Sequence, residues 1–321
     1  MGINREKPDL WKEDIGKSVD LYNQWFMDFA PRAFRETRVS TAASVERALI
    51  NTHFLTDISV AVLRRHPEVL PILRMATCPP IARDRLVGLA GVSKSLVMNM
   101  EDSENPRISP RINEDRLRME LTKIANTILK MADPDIFVWL SDHRDPTKIE
   151  IQRASTIVAD RLCGAVADPI IRNAQEKRQL SVIASYLEKR GYSLYRTQVK
   201  YNEMEPGTFS YHTNVPVKVA DSSKETVNIP VDVLIMPKSG KQGDMPILIE
   251  AKSAGDFTNV NKRRKEEAAK MQQLRSTYGR LAAYYLFLCG YFDSGYLGYE
   301  AAEGIDWIWE HRVDDLEKLG I

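Results

Sequence analysis

Apolar residues recur at helical spacing through roughly the first 170 residues of the chain. The pattern is clearest in three segments, at 18–38, 42–66 and 114–132. Spacings of three and four residues place side chains on one face of a helix, so this half is expected to be helical almost throughout. We therefore predict a helical domain over 1–170 and a second domain over 171–321, although no flexible linker separates them.

Beyond residue 170 the pattern changes to short, nearly continuous apolar runs. A helix over about 171–190 is expected to end at Gly191, and a basic helix over about 260–277 follows the fourth strand-like segment. The order along the chain therefore contains a helix, three strands, a helix and a strand. The predicted strands are Ser193–Tyr201, Thr208–Val219, Val227–Met236, Ile247–Ala251, Leu281–Leu288 and Ile305–Glu310.

Two of these strands carry charge where a buried strand has none. Asp232 interrupts the run VDVLIM, and Glu250 and Lys252 close the run ILIEAK. Alternate residues of a strand share a face, so Glu250 and Lys252 are expected to point the same way. A hairpin closed by 237–244 would bring Asp232 beside them.

Two carboxylates and one ammonium group on an otherwise apolar sheet are costly to desolvate without compensation. A hard divalent cation such as Mg²⁺ compensates the carboxylates, because it prefers oxygen ligands and needs only one or two carboxylates from the protein. The lysine is then left to act on a phosphate, so the pattern indicates a metal-dependent phosphodiesterase. The alternative is a half-solvated strand face with incidental charges, and the neighbouring Val, Ile and Leu residues weigh against it.

The three charged residues resemble the signature of the PD-(D/E)xK nuclease superfamily, with aspartate on one strand and E-x-K on the next. Pro230 lies two residues before Asp232 instead of next to it, a departure that concerns no ligand. More narrowly, the run IEAKSAGDFTNVNKRRKEEAAKMQQLRSTYG is similar to the XamI-type type II restriction endonucleases. The resemblance implies an α/β fold with a restriction-endonuclease-like αβββαβ core, preceded by a helical N-terminal domain.

The resemblance also implies a mechanism for the site. Mg²⁺ is expected on Asp232, Glu250 and the main-chain carbonyl of Ala251. Water then attacks phosphorus in line with the departing oxygen. Lys252 is expected to orient or deprotonate that water, or to stabilise charge on the phosphate, and the sequence leaves these roles open.

A fourth acidic residue is expected near the metal. In the superfamily that the chain resembles, a glutamate on the helix before the first core strand often joins the metal ligands. Glu176 is the first candidate for that position and for a metal ligand, and Glu188 is the second. Tyr211 and His212, within a predicted strand, are weaker candidates for a place near the site.

Contact with nucleic acid has to come from local basic clusters, because the net charge of the chain is only +1. One such cluster follows the E-x-K residues, and phosphate contact is expected from Lys262, Arg263 and Arg264. Four consecutive basic residues, 262–265, wrap a full helical turn. Part of the cluster is therefore expected to be solvated or paired with glutamates one turn further on.

The segment Arg83–Met100 has the pattern of a helix-turn-helix, with Gly91 at the turn and Ser93 as the cap of the second helix. In such a unit, exposed residues at the start of the second helix meet the major groove of DNA. These residues would be Lys94, Ser95 and Asn99. The alternative is an ordinary helical hairpin.

The cysteines and the N-terminal sequence indicate the cellular compartment. Three cysteines, at 78, 163 and 289, are odd in number and far apart, so free thiols in a reducing cytoplasm are expected. The N-terminal sequence has no apolar signal core, and no segment approaches membrane-spanning length. A cytoplasmic protein with no membrane partner is the prediction.

Together these features predict a type II restriction endonuclease that hydrolyses double-stranded DNA with Mg²⁺. A palindromic site has two-fold symmetry, so a homodimer is expected, together with a cognate DNA methyltransferase as functional partner. Two alternatives stay open. One is a repair, junction-resolving or modification-dependent nuclease with the same core. The other is a DNA-binding regulator with an inactive nuclease core.

Overall fold

A computed structural model gives the fold and describes residues 2–195, 200–219, 225–258 and 260–321, without the side chains of 260–263. The chain divides into two compact units. One consists of Met1–Phe29 with Arg172–Ile321, and the other of Ala30–Ile171. Both boundaries fall inside long helices, which agrees with the absence of a linker in the sequence.

The unit Ala30–Ile171 is built from helices around one apolar core. Leu73, Leu121, Trp139 and Val158, from four of its helices, are essentially inaccessible to solvent. The helices are α1 (Pro8–Asn51), α2 (Val60–Arg65), α3 (Leu70–Met75), α4 (Arg83–Ala90), α5 (Lys94–Met100), α6 (Glu114–Met131), α7 (Val138–Asp142) and α8 (Lys148–Lys189), of which α1 and α8 continue into the other unit.

The expectation of a continuous helical segment over 42–66 is wrong in its middle. α1 ends at Asn51, and His53, Phe54 and Leu55 have left-handed backbone angles before α2 begins. The hydroxyl of Thr52 donates to the carbonyl of Ala48, 2.8 Å away, which satisfies an acceptor at the end of α1. The apolar spacing continues across this turn because Leu55 is buried in the same core.

The other unit contains a six-stranded mixed sheet with strands in the order of the chain. The second to fourth strands are antiparallel neighbours, and the remaining pairs are parallel. The strands are β1 (Ser193–Leu194), β2 (Thr208–Lys218), β3 (Thr226–Met236), β4 (Ile247–Ala254), β5 (Tyr284–Gly290) and β6 (Asp306–Trp309), with α9 (Val260–Tyr278) before β5 and α10 (Ser294–Ala302) before β6. The predicted α/β fold with a restriction-endonuclease-like core and a helical N-terminal region is confirmed.

Several predicted boundaries are wrong. The strand predicted over Ser193–Tyr201 extends only over Ser193–Leu194 among the described residues, residues 196–199 lie outside them, and Tyr201–Glu203 forms a 3-10 turn. The helix predicted over 171–190 is the last part of α8, which begins at Lys148. Local periodicity marks an amphipathic stretch, but it does not show where a longer helix starts.

The sheet is buried on both faces. Ile183 and Leu187 of α8 pack on one face, which includes Ile249 of β4. Leu274 of α9 packs on the opposite face, which includes Leu248 of β4. Burial on both sides explains why β3 and β4 have nearly continuous apolar sequences, and it is the reason that charge in them is informative.

Candidate active site

The two central antiparallel strands separate at the predicted site. The last pair of the β3–β4 ladder is Val233 with Ile249. Beyond it, the main-chain N–H of Ala251 donates to Oδ2 of Asp232 at 2.8 Å. A side-chain carboxylate thus replaces a main-chain acceptor, and it is held at the point where the strands open.

Glu250 and Lys252 lie next to each other on β4, as their spacing predicts. Lys252 Nζ is 3.0 Å from Glu250 Oε1. The Glu250 residue is only 5 % exposed, and its second oxygen, Oε2, is buried with no hydrogen-bond partner among the described residues. A buried carboxylate oxygen without a partner is an unfavourable arrangement that a bound cation would relieve.

Two side chains of α9 complete the charge cluster. Glu267 Oε1 is 3.1 Å from Lys252 Nζ, and Lys270 Nζ is 2.6 Å from Glu250 Oε1. Lys252 therefore lies between two carboxylates, and Glu250 accepts from two lysines through one oxygen. Glu267 is essentially inaccessible to solvent.

Neither Glu267 nor Lys270 was predicted from the sequence to be part of the site. A signal was present in the spacing. Glu267 shares the buried stripe of α9 with Ala268, Met271 and Leu274, at intervals of one, four and seven residues. A glutamate on the apolar stripe of a helix needs a cationic partner, and Lys252 supplies it.

α8 approaches the same strands from the other side. The side-chain amide of Gln179 donates to the main-chain carbonyls of Lys252, at 3.3 Å, and Phe287, at 3.2 Å. Gln179 is buried and joins α8 to β4 and β5 behind the site. These bonds hold the main chain of the E-x-K segment in place.

Glu176 lies one turn before Gln179 on α8 and reaches the site. One of its carboxylate oxygens, a nitrogen of His212 and a carboxylate oxygen of Asp232 all lie within 4.8 Å of one another. The distance from Glu176 Oε1 to His212 Nε2 is 3.8 Å. Glu188, the second candidate, lies 12 residues further along the helix, about 18 Å away, and does not line the cavity described next.

A cavity of about 310 Å³ opens between α8, the ends of β3 and β4, and α9. Three of its lining residues come from the predicted catalytic set and a fourth is the predicted ligand Ala251. The lining residues are Arg172, Gln175, Glu176, Gln179, Asp232, Glu250, Ala251, Lys252, Ser253 and Glu266. Four of the lining residues are Asp or Glu, and carboxylate oxygens are a donor set suited to a hard divalent cation.

The electrostatics of the carboxylates point to the same ligand. Burial, together with the negative charge of Glu250, raises the pKa of Asp232 to about 6. A buried aspartate whose ionised form is disfavoured by a neighbouring glutamate is an arrangement that a divalent cation stabilises.

Burial and the neighbouring charges have opposite effects on the pKa of Lys252. Burial lowers the pKa of its ammonium group, but the charges of Glu250 and Glu267 outweigh burial, and the resulting pKa is raised. Lys252 therefore carries its proton in this arrangement.

The predicted DNA contacts of the basic helix are only partly within the described residues. The side chains of Lys262 and Arg263 lie outside them. The guanidinium of Arg264 lies 5.0 Å from the ring centroid of Tyr299 on α10. Contact between this helix and DNA stays a prediction.

The segment 83–100 forms two short helices, α4 and α5, joined by Gly91 in the left-handed conformation. The role given to Ser93 is corrected, since its side chain makes no cap hydrogen bond. Instead, Ser93 Oγ donates to Oε2 of Glu120 at 2.6 Å, which ties the turn to α6. The Ser93 hydroxyl therefore bonds to the buried carboxylate of Glu120 instead of to the main chain at the start of α5.

The three proposed base-reading residues differ in exposure. Lys94 is exposed, with its Nζ 3.3 Å from Asp84 Oδ1, and Ser95 is exposed beside it. Asn99 is half-buried, and its main-chain carbonyl accepts from the N–H of Arg107. DNA contact by these residues stays a prediction.

A mixed sheet in this order, with a D…E-x-K group where its central antiparallel strands open, places the chain among the restriction-endonuclease-like nucleases. A sequence model of the XamI restriction endonuclease family matches residues 53–309. The chain is also 52 % identical over 320 residues to the type II restriction enzyme SalI of Streptomyces albus G, an alignment that covers 99 % of each chain.

The chain belongs to the XamI restriction endonuclease family. It is a type II restriction endonuclease, a site-specific deoxyribonuclease, as predicted. Family membership favours this function over the repair-type nuclease and the inactive regulator. The described helices include none with the length and apolar character required to traverse a bilayer. The three cysteines are free thiols, as predicted.

Proposed function

We propose that the enzyme hydrolyses phosphodiester bonds of double-stranded DNA with Mg²⁺ held by Asp232, Glu250, Glu176 and the main-chain carbonyl of Ala251. One observation carries this assignment. Glu250 uses one oxygen for two lysines, and its other oxygen is buried and has no hydrogen-bond partner in the part of the chain that the structure describes, beside a second carboxylate. When bound, Mg²⁺ neutralises charge at the scissile phosphate and makes water a stronger acid.

Other contacts in the cavity orient a metal ligand and the substrate. Asp232 is oriented by the N–H of Ala251, so its carboxylate keeps a fixed direction toward the cavity. Gln175 is buried and lines the same cavity, and its amide nitrogen has no hydrogen-bond partner among the described residues. A buried donor of this kind suits a phosphate oxygen, and we assign Gln175 to substrate positioning.

Lys252 serves as a cation rather than as a base in this proposal. Its raised pKa keeps the ammonium group protonated at neutral pH. An ammonium group next to the reacting phosphate stabilises the negative charge that grows on the oxygens during in-line attack. The proton that leaves the attacking water then has to go to solvent or to a phosphate oxygen.

We also propose an oligomeric state, a functional partner and a cellular location for the enzyme. A palindromic recognition sequence requires two active sites related by a two-fold axis, which a homodimer supplies. Cleavage of DNA inside a cell requires protection of the host genome, so a cognate DNA methyltransferase is the expected functional partner. An enzyme that shares its DNA sites with this methyltransferase works in the cytoplasm.

The test is the Lys252→Ala variant, measured for cleavage with Mg²⁺ and for DNA binding with Ca²⁺. We expect cleavage to fall by roughly 10²- to 10⁴-fold, because a charge-stabilising group at the reacting phosphate is removed. Binding in Ca²⁺ should stay within about threefold of wild type, since most affinity comes from other phosphate contacts.

Lys189→Ala is the matched control, because Lys189 is an exposed lysine at the end of α8, outside the cavity. It should leave both measurements unchanged. Full cleavage by Lys252→Ala, or an equal loss in both variants, would refute the assignment.

A further inference from the structure

His212 lies opposite Asp232 in the sheet. In the β2–β3 ladder, Tyr211 pairs with Val233 and Thr213 pairs with Val231. In this register His212 lies opposite Asp232, but these two residues do not form a pair in the ladder. An irregularity in the middle of a long hairpin therefore falls directly beside the active-site aspartate.

The backbone of His212 has φ of 48°, a left-handed conformation that non-glycine residues adopt infrequently. Such a conformation is strained, and strained residues cluster at active sites and ligand-binding positions. The imidazole is 60 % exposed, so no packing contact in the core accounts for the strain.

The side chain does have polar neighbours. His212 Nε2 lies 3.8 Å from Glu176 Oε1, which is too long for a hydrogen bond. One ligand atom each from Glu176, His212 and Asp232 lie within 4.8 Å of one another. Among the described residues, no other group of three such side chains comes this close.

We propose that His212 supplies a nitrogen ligand to the active-site metal, together with Glu176 and Asp232, so that the site binds Mn²⁺ and Co²⁺ more tightly than Mg²⁺. Oxygen ligands alone suit Mg²⁺, whereas imidazole strengthens binding of the later first-row metals. This inference rests on the proposed function, because it adds one ligand to the metal site assigned there.

The ligand spacing is compatible with one ion. For bonds of about 2.1 Å in an octahedral site, adjacent ligand atoms lie about 3 Å apart and opposite ones about 4.2 Å apart. Ligand atoms that lie within 4.8 Å of one another therefore need only small side-chain movements to meet a shared cation. The three elements α8, β2 and β3 each contribute one ligand.

The experiment is calorimetric titration of the full-length protein with Mn²⁺, Co²⁺ and Mg²⁺ in the absence of DNA. For His212→Ala, we expect the dissociation constants for Mn²⁺ and Co²⁺ to rise by roughly 10- to 100-fold, and that for Mg²⁺ to change by less than about threefold. The visible absorption of bound Co²⁺ should change as well, because a nitrogen ligand is lost. Neither readout depends on cleavage.

His143→Ala is the matched control. His143 is an exposed histidine with φ of 52°, so the variant has the same chemistry and the same backbone strain outside the site. It should bind all three metals like wild type. Thermal unfolding without metal should show that both variants are folded.

Two results would overturn the role of His212. One is unchanged Mn²⁺ and Co²⁺ binding in His212→Ala, and the other is an equal loss for Mg²⁺. Asp232→Asn separates this outcome from failure of the proposed function. If Asp232→Asn binds every metal and cleaves DNA normally, the whole metal site is wrong. If it loses metal and cleavage while His212→Ala keeps both metals, only the nitrogen ligand is wrong.

Discussion

Burying a carboxylate is costly unless a cation lies beside it. Three buried glutamates lie on or near α9, and they differ in their cationic neighbours. Glu250 contacts two lysines, and Glu267 contacts Lys252. Glu300 on α10 is fully buried, and the negative charge of Glu267 disfavours its ionised form. The first two glutamates therefore lie in the proposed site, whereas Glu300 is expected to make the stability of the fold depend on pH.

Glu267 is expected to act as a positioning residue for Lys252. In Glu267→Gln the lysine loses one of its two carboxylate neighbours and should move, so kcat should fall by roughly 10- to 100-fold, with little change in DNA affinity. Single-turnover cleavage and DNA binding in Ca²⁺ separate the two effects. Glu267→Asp should recover part of the rate, which a purely structural role would not predict.

The control for Glu267 is Glu188→Gln, an exposed glutamate of α8 outside the cavity. It should cleave at the wild-type rate. A Glu267→Gln enzyme with unchanged kcat, or one in which kcat and DNA affinity fall together, would contradict the positioning role.

Glu300 should make stability fall as pH rises. Burial and the charge of Glu267 raise its pKa to about 8, well above the ordinary value of 4.5. Between pH 4.5 and about pH 8, the folded protein holds a proton that the unfolded chain has released. The free energy of unfolding therefore falls as the pH increases. Glu300→Gln removes this effect, and its advantage over wild type should grow by at least ~1 kcal/mol from pH 5 to pH 8.

Urea unfolding at pH 5 and at pH 8 measures this difference. Glu317→Gln, at an exposed position, should follow wild type at both values of pH. The interpretation fails if the difference between Glu300→Gln and wild type is constant across this range.

The central site could be predicted from the sequence because its residues break a local pattern. Asp232, Glu250 and Lys252 are charged positions in apolar strands, and strand alternation is enough to bring them together. The sequence shows that Glu267 lies on an apolar helical stripe and that His212 lies in a strand, but not which groups they contact. Their importance comes from where α9 and β2 pack, which depends on contacts far apart in the chain.

At the scale of elements, some strands and helices could be predicted from the sequence and others could not. β3 and β4 begin and end close to their predicted positions, since a strand buried on both faces has an unbroken apolar sequence. β1 is shorter than predicted, and both of its residues are exposed, so few apolar contacts support it. The 42–66 segment was misjudged because a turn with a buried leucine keeps the spacing of a helix.

The turn between α4 and α5 offers an element-scale prediction. Gly91 has φ of 60°, and an added Cβ would meet no atom within 4 Å, so Gly91→Ala should cost about 1–2 kcal/mol through backbone strain alone. Gly88, three residues earlier inside α4, has equally open surroundings and helical geometry. Gly88→Ala should therefore stabilise by about 0.5–1 kcal/mol.

Urea denaturation of the two alanine variants is the measurement. Effects of opposite sign are expected from the same substitution three residues apart. If both variants are destabilised equally, side-chain crowding and not backbone conformation governs this turn.

At the scale of the whole molecule, the nearly neutral chain has to concentrate positive charge where DNA lies. The homodimer that we propose would double these local contacts and place two active sites on opposite strands. Sedimentation velocity should therefore give a species of twice the 36.6 kDa chain mass at micromolar concentration. A monomer that nevertheless cuts both strands at one site would contradict the two-fold assembly.

The most direct measurement is digestion of unmethylated phage DNA by wild-type enzyme and by Asp232→Asn, each with Mg²⁺ and with EDTA. Discrete bands are expected only for wild type with Mg²⁺, because the proposed mechanism needs both the metal and the carboxylate that the N–H of Ala251 orients. Discrete bands from Asp232→Asn at the wild-type rate, or from wild type in EDTA, would contradict the assigned active site.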